Sequence, residues 1–146
     1  MPPKEPRPAS HFRLSIGGRE SIGNFRECQG LDSEHSVIEH TSVDEQGRPV
    51  VRKVAGPVKW SNITLKRGVD ESADLWKWRD QVIKEGPDAA RTDGFIELLD
   101  YTGTPIARWK FIQGWPLKYT GASLDPKSSE VAVEEVQICH EGLERE

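Results

Sequence analysis

Apolar and polar residues alternate with a two-residue period over most of the chain and switch to a helical period only once. Phe12, Leu14 and Ile16 alternate with Arg13 and Ser15 and stop at Gly17-Gly18, which predicts a first strand. A second candidate strand covers 24–29. Two β-rich arms follow, about 34–43 and 48–54, flanking Asp44-Glu45-Gln46-Gly47, whose turn chemistry predicts a long hairpin. Val37, Ile38, Val43, Val50, Val51 and Val54 are interleaved there with Glu34, His35, Ser36, Glu39, His40, Arg48, Arg52 and Lys53. Neither face is therefore cleanly apolar. By alternation Ser36, Ile38 and His40 share one face, with Val37 and Glu39 on the other. Arms of about seven paired residues would reach on the order of 23 Å. A two-stranded hairpin is marginal by itself and presents open backbone edges, so it needs a covering element or another chain.

Gly56-Pro57 breaks this pattern, and 58–65 resumes it with a phase change near Ser61 and Asn62, where a bulge is expected. The helical period covers 72–85, with Ser72 as the capping residue, Glu71 and Asp74 at the positive end, and Gly86-Pro87 as the stop. Leu75, Trp76, Trp78, Val82 and Ile83 fall within an arc of about 160° on that helix. Arg79 lies inside the same arc, so its stem should be covered and its guanidinium should find a carboxylate or an aromatic face. Beyond it, 95–101 and 106–112 form a second hairpin around Thr102-Gly103-Thr104-Pro105, with Ala107, Trp109 and Phe111 on one side. Gly114-Trp115-Pro116 interrupts, 124–129 reads as a turn, and 130–140 alternates again through Ala132, Val136 and Ile138. Six or seven strands and one helix point to a mainly β fold, an antiparallel sandwich or barrel with a flanking helix and a long extended hairpin. Trp60, Leu75, Trp76, Trp78, Val82, Trp109 and Phe111 are its expected core anchors. The first ten residues hold Pro2, Pro3, Pro6 and Pro8 and read as a flexible arm, leaving 11–146 as a single domain.

Composition narrows the function classes. At 146 residues the chain fits one domain, and only 35% of its residues are apolar against 30% charged, so the core must lean on its five tryptophans. The 20 basic and 24 acidic residues are scattered and sum to a net charge of -4, which builds no single-sign field for nucleic acid or anionic lipid. Outside glycine the apolar runs are too short for a spanning helix or a secretory signal, so synthesis in the cytoplasm is expected. Cys28 and Cys139 show no CxxC spacing and read as free thiols. Motifs for phosphate, dinucleotide, calcium or zinc-protease chemistry are missing from the sequence, and no cofactor is expected.

Three clusters invite chemistry, and each has a plainer reading. His35 and His40 with Glu34 and Glu39 could ligate a metal, but five residues along a strand separates the histidines by about 16 Å and puts them on opposite faces. Cys139-His140-Glu141 offers a thiol, an imidazole and a carboxylate in consecutive positions. Strand neighbours point apart, so a core cysteine beside a surface histidine is expected instead. Trp109, Trp115 and Tyr119 with Lys110 and Lys118 resemble a platform for single strands or sugars, although Trp109 follows the apolar strand phase and Trp115-Pro116 suits a sheet corner.

Four stretches, 23–31, 56–68, Leu75-Trp76-Lys77-Trp78-Arg79 and Cys139-His140-Glu141-Gly142-Leu143, resemble the phage tail-tube family in order along nearly the whole chain. The likeness is strongest to inner tube proteins of extracellular contractile injection systems, relatives of the haemolysin-coregulated protein of type VI secretion. Ala55 departs from that pattern, which often has proline there. The resemblance implies a non-enzymatic structural subunit. Six copies would close a ring, and rings would stack into a hollow tube propelled by a contracting sheath. The hairpin at 34–54 would line the lumen and pair between subunits. Implied partners are further copies of the chain, sheath, baseplate or spike and terminator proteins, and a payload effector in the lumen. Assembly in the cytoplasm, within a phage tail-like particle released from the cell, is implied too. A ring-forming effector carrier, or a tube paralogue of a phage or secretion system, fits the same residues.

Overall fold

The computed structural model describes residues 8–17, 21–69, 73–121 and 132–146. Most of the proline-rich arm, Gly18, the proposed cap Ser72 with Glu71, and the 124–129 turn lie outside the described residues. Ten strands and two helices are formed among them: β1 (Ala9–Ile16), β2 (Gly23–Phe25), β3 (Glu27–Gln29), β4 (Ser33–Val43), β5 (Pro49–Trp60), β6 (Ile63–Gly68), α1 (Asp74–Glu85), α2 (Pro87–Ala90), β7 (Thr92–Asp100), β8 (Pro105–Thr120), β9 (Val133–Cys139) and β10 (Gly142–Arg145). They divide into two compact units, residues 32–61 and the remainder.

The larger unit is a barrel. Its antiparallel strands run in the order β2-β1-β7-β8-β9-β6-β3, with β10 also on β8. The strands at the two ends of that order, β2 and β3, are separated in sequence by Arg26 alone, whose N–H donates to the Lys66 carbonyl at 2.9 Å. One kinked stretch therefore joins the sheet to itself and removes both edges. Strict alternation fills the interior: Leu14 and Ile16 from β1, Ile63 and Leu65 from β6, and Val136 and Ile138 from β9 are all buried.

β8 is longer than the sequence suggests. It runs through Gly114-Trp115-Pro116, pairing β7 and β10 with its first part and β9 with its second. Rather than ending there, the strand bends, and Gln113 takes up the bend at φ 53 while its N–H donates to Asp93 Oδ1 at 3.0 Å. A left-handed conformation costs a side-chain-bearing residue roughly 1–2 kcal/mol. Gln113→Gly is accordingly expected to raise stability by roughly 0.5–1 kcal/mol after the entropy that glycine adds to the unfolded chain. A shift of the urea midpoint in the opposite direction would show that the glutamine side chain contributes more than the strain removes.

α1 begins at Asp74 with Ala73 at its N-cap position and ends at Gly86, whose φ of 92 and N–H to Val82 stop it. The four-residue α2 that follows, with Pro87 at its first turn, lies where the sequence predicts only a helix stop. Leu75, Trp78 and Val82 are buried, and Trp78 Nε1 donates to the Ala90 carbonyl at 3.1 Å. Trp76 and Ile83, expected in the apolar arc, are instead 45% and 58% exposed. They lie about 80–100° round the helix from Leu75, outside the narrow i, i+3, i+7 stripe that meets the barrel. Arg79 donates to the Pro116 carbonyl at 3.2 Å, and among the described residues it meets no carboxylate or aromatic face. Of the remaining expected anchors, Phe111 is fully buried while Trp60 and Trp109 are half-buried.

A polar group inside the barrel was not anticipated. Arg67 and Glu134 are cross-strand neighbours on β6 and β9, both on the inner face, and only 3% and 5% exposed. Arg67 Nε donates to Glu134 Oε1, and Tyr119 Oη donates to Glu134 Oε2, both at 2.5 Å. Arg67 Nη1 reaches the Ile22 carbonyl just before β2, and the guanidinium lies 5.0 Å from the centre of the Phe25 ring on β2. The pair thus ties β2, β6, β8 and β9 together where the barrel closes. Burial first, and then the bond to Glu134, push the Tyr119 hydroxyl up to about 12, so it remains a donor.

Candidate functional site: the two-stranded hairpin

Residues 32–61 form the second unit, an antiparallel ribbon of β4 and β5. Its arms hold 11 and 12 residues, reaching about 35 Å rather than the shorter span expected from the sequence. The turn is built by Asp44, whose Oδ1 accepts the N–H groups of Gln46 and Arg48 at 2.9 and 2.8 Å. The bulge does not fall at Ser61-Asn62, where β5 and β6 are separate strands. It falls at Gly56-Pro57, where two residues of β5 oppose Ser36 alone between the pairs His35↔Val58 and Val37↔Ala55. A Cβ at Gly56 would stand 2.3 Å from Ser36 Oγ, so only glycine fits this approach. Pro57 is tolerated in the strand for the same reason, since a bulged residue has no ladder bond to donate.

The register fixes what each backbone group does. Asp44 N–H donates to the Arg48 carbonyl at 2.9 Å, which sets the phase of the ladder. Ser42↔Val50, His40↔Arg52 and Ile38↔Val54 are then the pairs that exchange both bonds. Thr41↔Val51, Glu39↔Lys53 and Val37↔Ala55 turn their N–H and C=O groups away from the ribbon on both sides. Pro49, opposite Val43, agrees with this phase because the N–H it lacks would point outward. Among the described residues no strand pairs with either edge of the ribbon, which thus carries open donors and acceptors.

The register also sorts the side chains. Val37, Val43, Val51 and Val58 share one face with Glu39 and Lys53, and the four valines are 62%, 68%, 58% and 42% exposed. The opposite face holds Ile38, His40, Arg52 and Val54, with Ser42 and Val50 half-buried. All the predicted hairpin residues therefore lie in one unit, and the earlier split of Val37 and Glu39 from Ser36, Ile38 and His40 agrees with the observed faces.

The clusters weighed for chemistry are placed as follows. His35 and His40 stand on opposite faces of the ribbon, and His35 Nδ1 is 3.0 Å from the Gly56 carbonyl. His140 and Cys139 reverse the expected arrangement: His140 is buried, with Nδ1 3.0 Å from the Gly142 carbonyl, while Cys139 is half-buried. The inner phase of β9 runs through Glu134, Val136 and Ile138 and carries on to His140. Cys28 packs against the core, and burial pushes its thiol up to about 12. Trp109 lies beneath the Arg145 guanidinium at 5.7 Å, whereas Tyr119 meets the Trp76 ring edge-on at 5.3 Å. Among the described residues no group of three or more His, Cys, Asp or Glu is placed to hold a metal ion.

Residues 8–144 match the family of the T4-like virus tail tube protein gp19. The chain is similar to a protein in the cryo-EM structure of an extracellular contractile injection system, the PVC sheath–tube complex in its extended state. The two are 27% identical over 97% of this chain and 91% of that one, with a TM-score of 0.78. It is equally similar to a protein in the cryo-EM structure of the anti-feeding prophage cap, which terminates a tube, at 25% identity over 100% and 94% of the two chains and a TM-score of 0.79. Hcp1 from Flavobacterium johnsoniae, 17% identical over 92% and 94% with a TM-score of 0.54, shares the fold. No curated protein matches the chain.

Proposed function

The chain belongs to the T4-like virus tail tube protein family and is a tube protein of a contractile injection system, and we propose that its hairpin is the element through which copies join into the tube. The carrying observation is the ribbon itself: open donors and acceptors on both edges and four exposed valines on one face. A neighbouring copy that adds a strand satisfies the edge, and an element packed on the ribbon face covers the valines. A head-to-tail contact that closes by rotation makes a ring, and a second contact along the axis that does not close stacks rings into a conduit. Six subunits per ring, sheath and baseplate as outer partners, and a payload in the lumen complete this reading. The protein acts by assembly rather than by catalysis, inside a particle built in the cytoplasm and released from the cell.

The near-equal likeness to a tube-terminating cap favours a second reading, in which the chain closes a tube instead of extending it. Sedimentation of the purified protein over a concentration series separates the two. A tube subunit passes into particles much larger than a ring as concentration rises. A cap, or a ring-shaped carrier, stops at the mass of one ring.

A further inference from the structure

Once the hairpin wall is formed, one ribbon face must meet protein and the other the lumen, and the charges decide which. On the valine face Glu39 stands directly across from Lys53 in the register, so that face brings charges of both signs at one level and a band of apolar surface. Covering that face lets the two opposite charges pair, which costs less than burying a charge with no partner. On the opposite face Glu34 stands across from Lys59 in the same way, but Arg52 stands across from His40, with no carboxylate at that level. Covering this face would bury a guanidinium without a counter-charge, which is heavily unfavourable. At the turn, Asp44 is engaged with backbone N–H groups of its own loop.

Resting on the tube reading above, we infer that the Ile38, His40, Arg52 and Val54 face lines the lumen, where Arg52 repeats in every subunit as a cationic band that takes acidic segments of polypeptide cargo. The arginine side chain offers a planar fork that pairs with carboxylates in two parallel bonds. A guanidinium repeated round each ring and up each stack would hold an acidic chain by many weak contacts, any of which releases easily. This is the behaviour required of a conduit whose contents must leave.

The test uses assembled tubes of the whole chain, mixed with fluorescent poly-glutamate or poly-lysine peptides of equal length and then pelleted. Wild-type tubes are expected to retain poly-glutamate at least about tenfold over poly-lysine, with retention lost as salt shortens the Debye length from about 10 Å towards 3 Å. Arg52→Gln should abolish the preference and Arg52→Glu should invert it. Lys77→Glu, on the exposed side of α1, should leave it unchanged. Equal retention of the two peptides by wild-type tubes, or an Arg52→Gln tube that behaves as wild type, overturns the cationic band while the tube reading stands. Retention of a single-stranded oligonucleotide with exclusion of poly-glutamate also overturns it. Failure of the wild-type chain to form tubes at all removes both.

Discussion

Val51→Pro is expected to leave a folded monomer and to abolish tubes. Val51 pairs with Thr41 at a position whose N–H points away from the ribbon, so proline there removes no bond between β4 and β5. Its fixed φ suits an edge strand, and Pro49 already occupies the equivalent position two residues earlier. What the substitution does remove is a donor on the open edge, and the ring also blocks close approach of an added strand. Val50→Pro is the contrast, because Val50 exchanges both bonds with Ser42 and its loss damages the ribbon itself. Circular dichroism and tryptophan fluorescence should match wild type for Val51→Pro, and electron micrographs should show no filaments. Filaments of ordinary length would mean that the edge of β5 is not the assembly surface.

The second large effect lies in the barrel. Glu134→Ala should cost about 3–5 kcal/mol, because it leaves the Arg67 guanidinium buried against Phe25 with no counter-charge. It also frees the Tyr119 hydroxyl, which now donates to Glu134. The pair is not fully satisfied, since among the described residues Arg67 Nη2 has no hydrogen-bond partner. Replacing both members together, Arg67→Met with Glu134→Leu, should therefore cost far less than the single change. Urea denaturation in the assembly-deficient Val51→Pro background keeps subunit association out of the measurement. A loss under about 1 kcal/mol for Glu134→Ala would show that Arg67 reaches water in the folded chain.

The sequence made the strands legible wherever the alternation could be followed in apolar residues, and misled where a charged residue took an inward position. Phe12, Leu14 and Ile16 announce β1, and Ala107 to Phe111 announce the first part of β8, because in each case one face carries the apolar side chains. Arg67 follows Ile63 and Leu65 at the same period, and Glu134 precedes Val136 and Ile138 likewise, so both were in phase with the core. Their charge hides them, because a charged residue in a strand ordinarily marks the surface. The same phase, carried two residues beyond Ile138, places His140 inside and Cys139 outside. Trp76 failed for a different reason: a helix on a curved barrel buries a narrow stripe, and a wide apolar arc says nothing about which flank stays open. The hairpin was legible as an element from its turn and β-branched residues. Which side chains share a face with which partners was not, because the bulge at Gly56-Pro57 shifts the phase of β5 relative to β4, and only the register shows where.

The central claim is that this hairpin, shared between copies, builds the wall of a tube. Cryo-electron microscopy of the purified wild-type chain tests it most directly. The account predicts hollow filaments of stacked rings in which β4 and β5 of each subunit pair with their neighbours and Arg52 points into the channel. Filaments whose subunits join through other surfaces while the hairpins stay unpaired would contradict it.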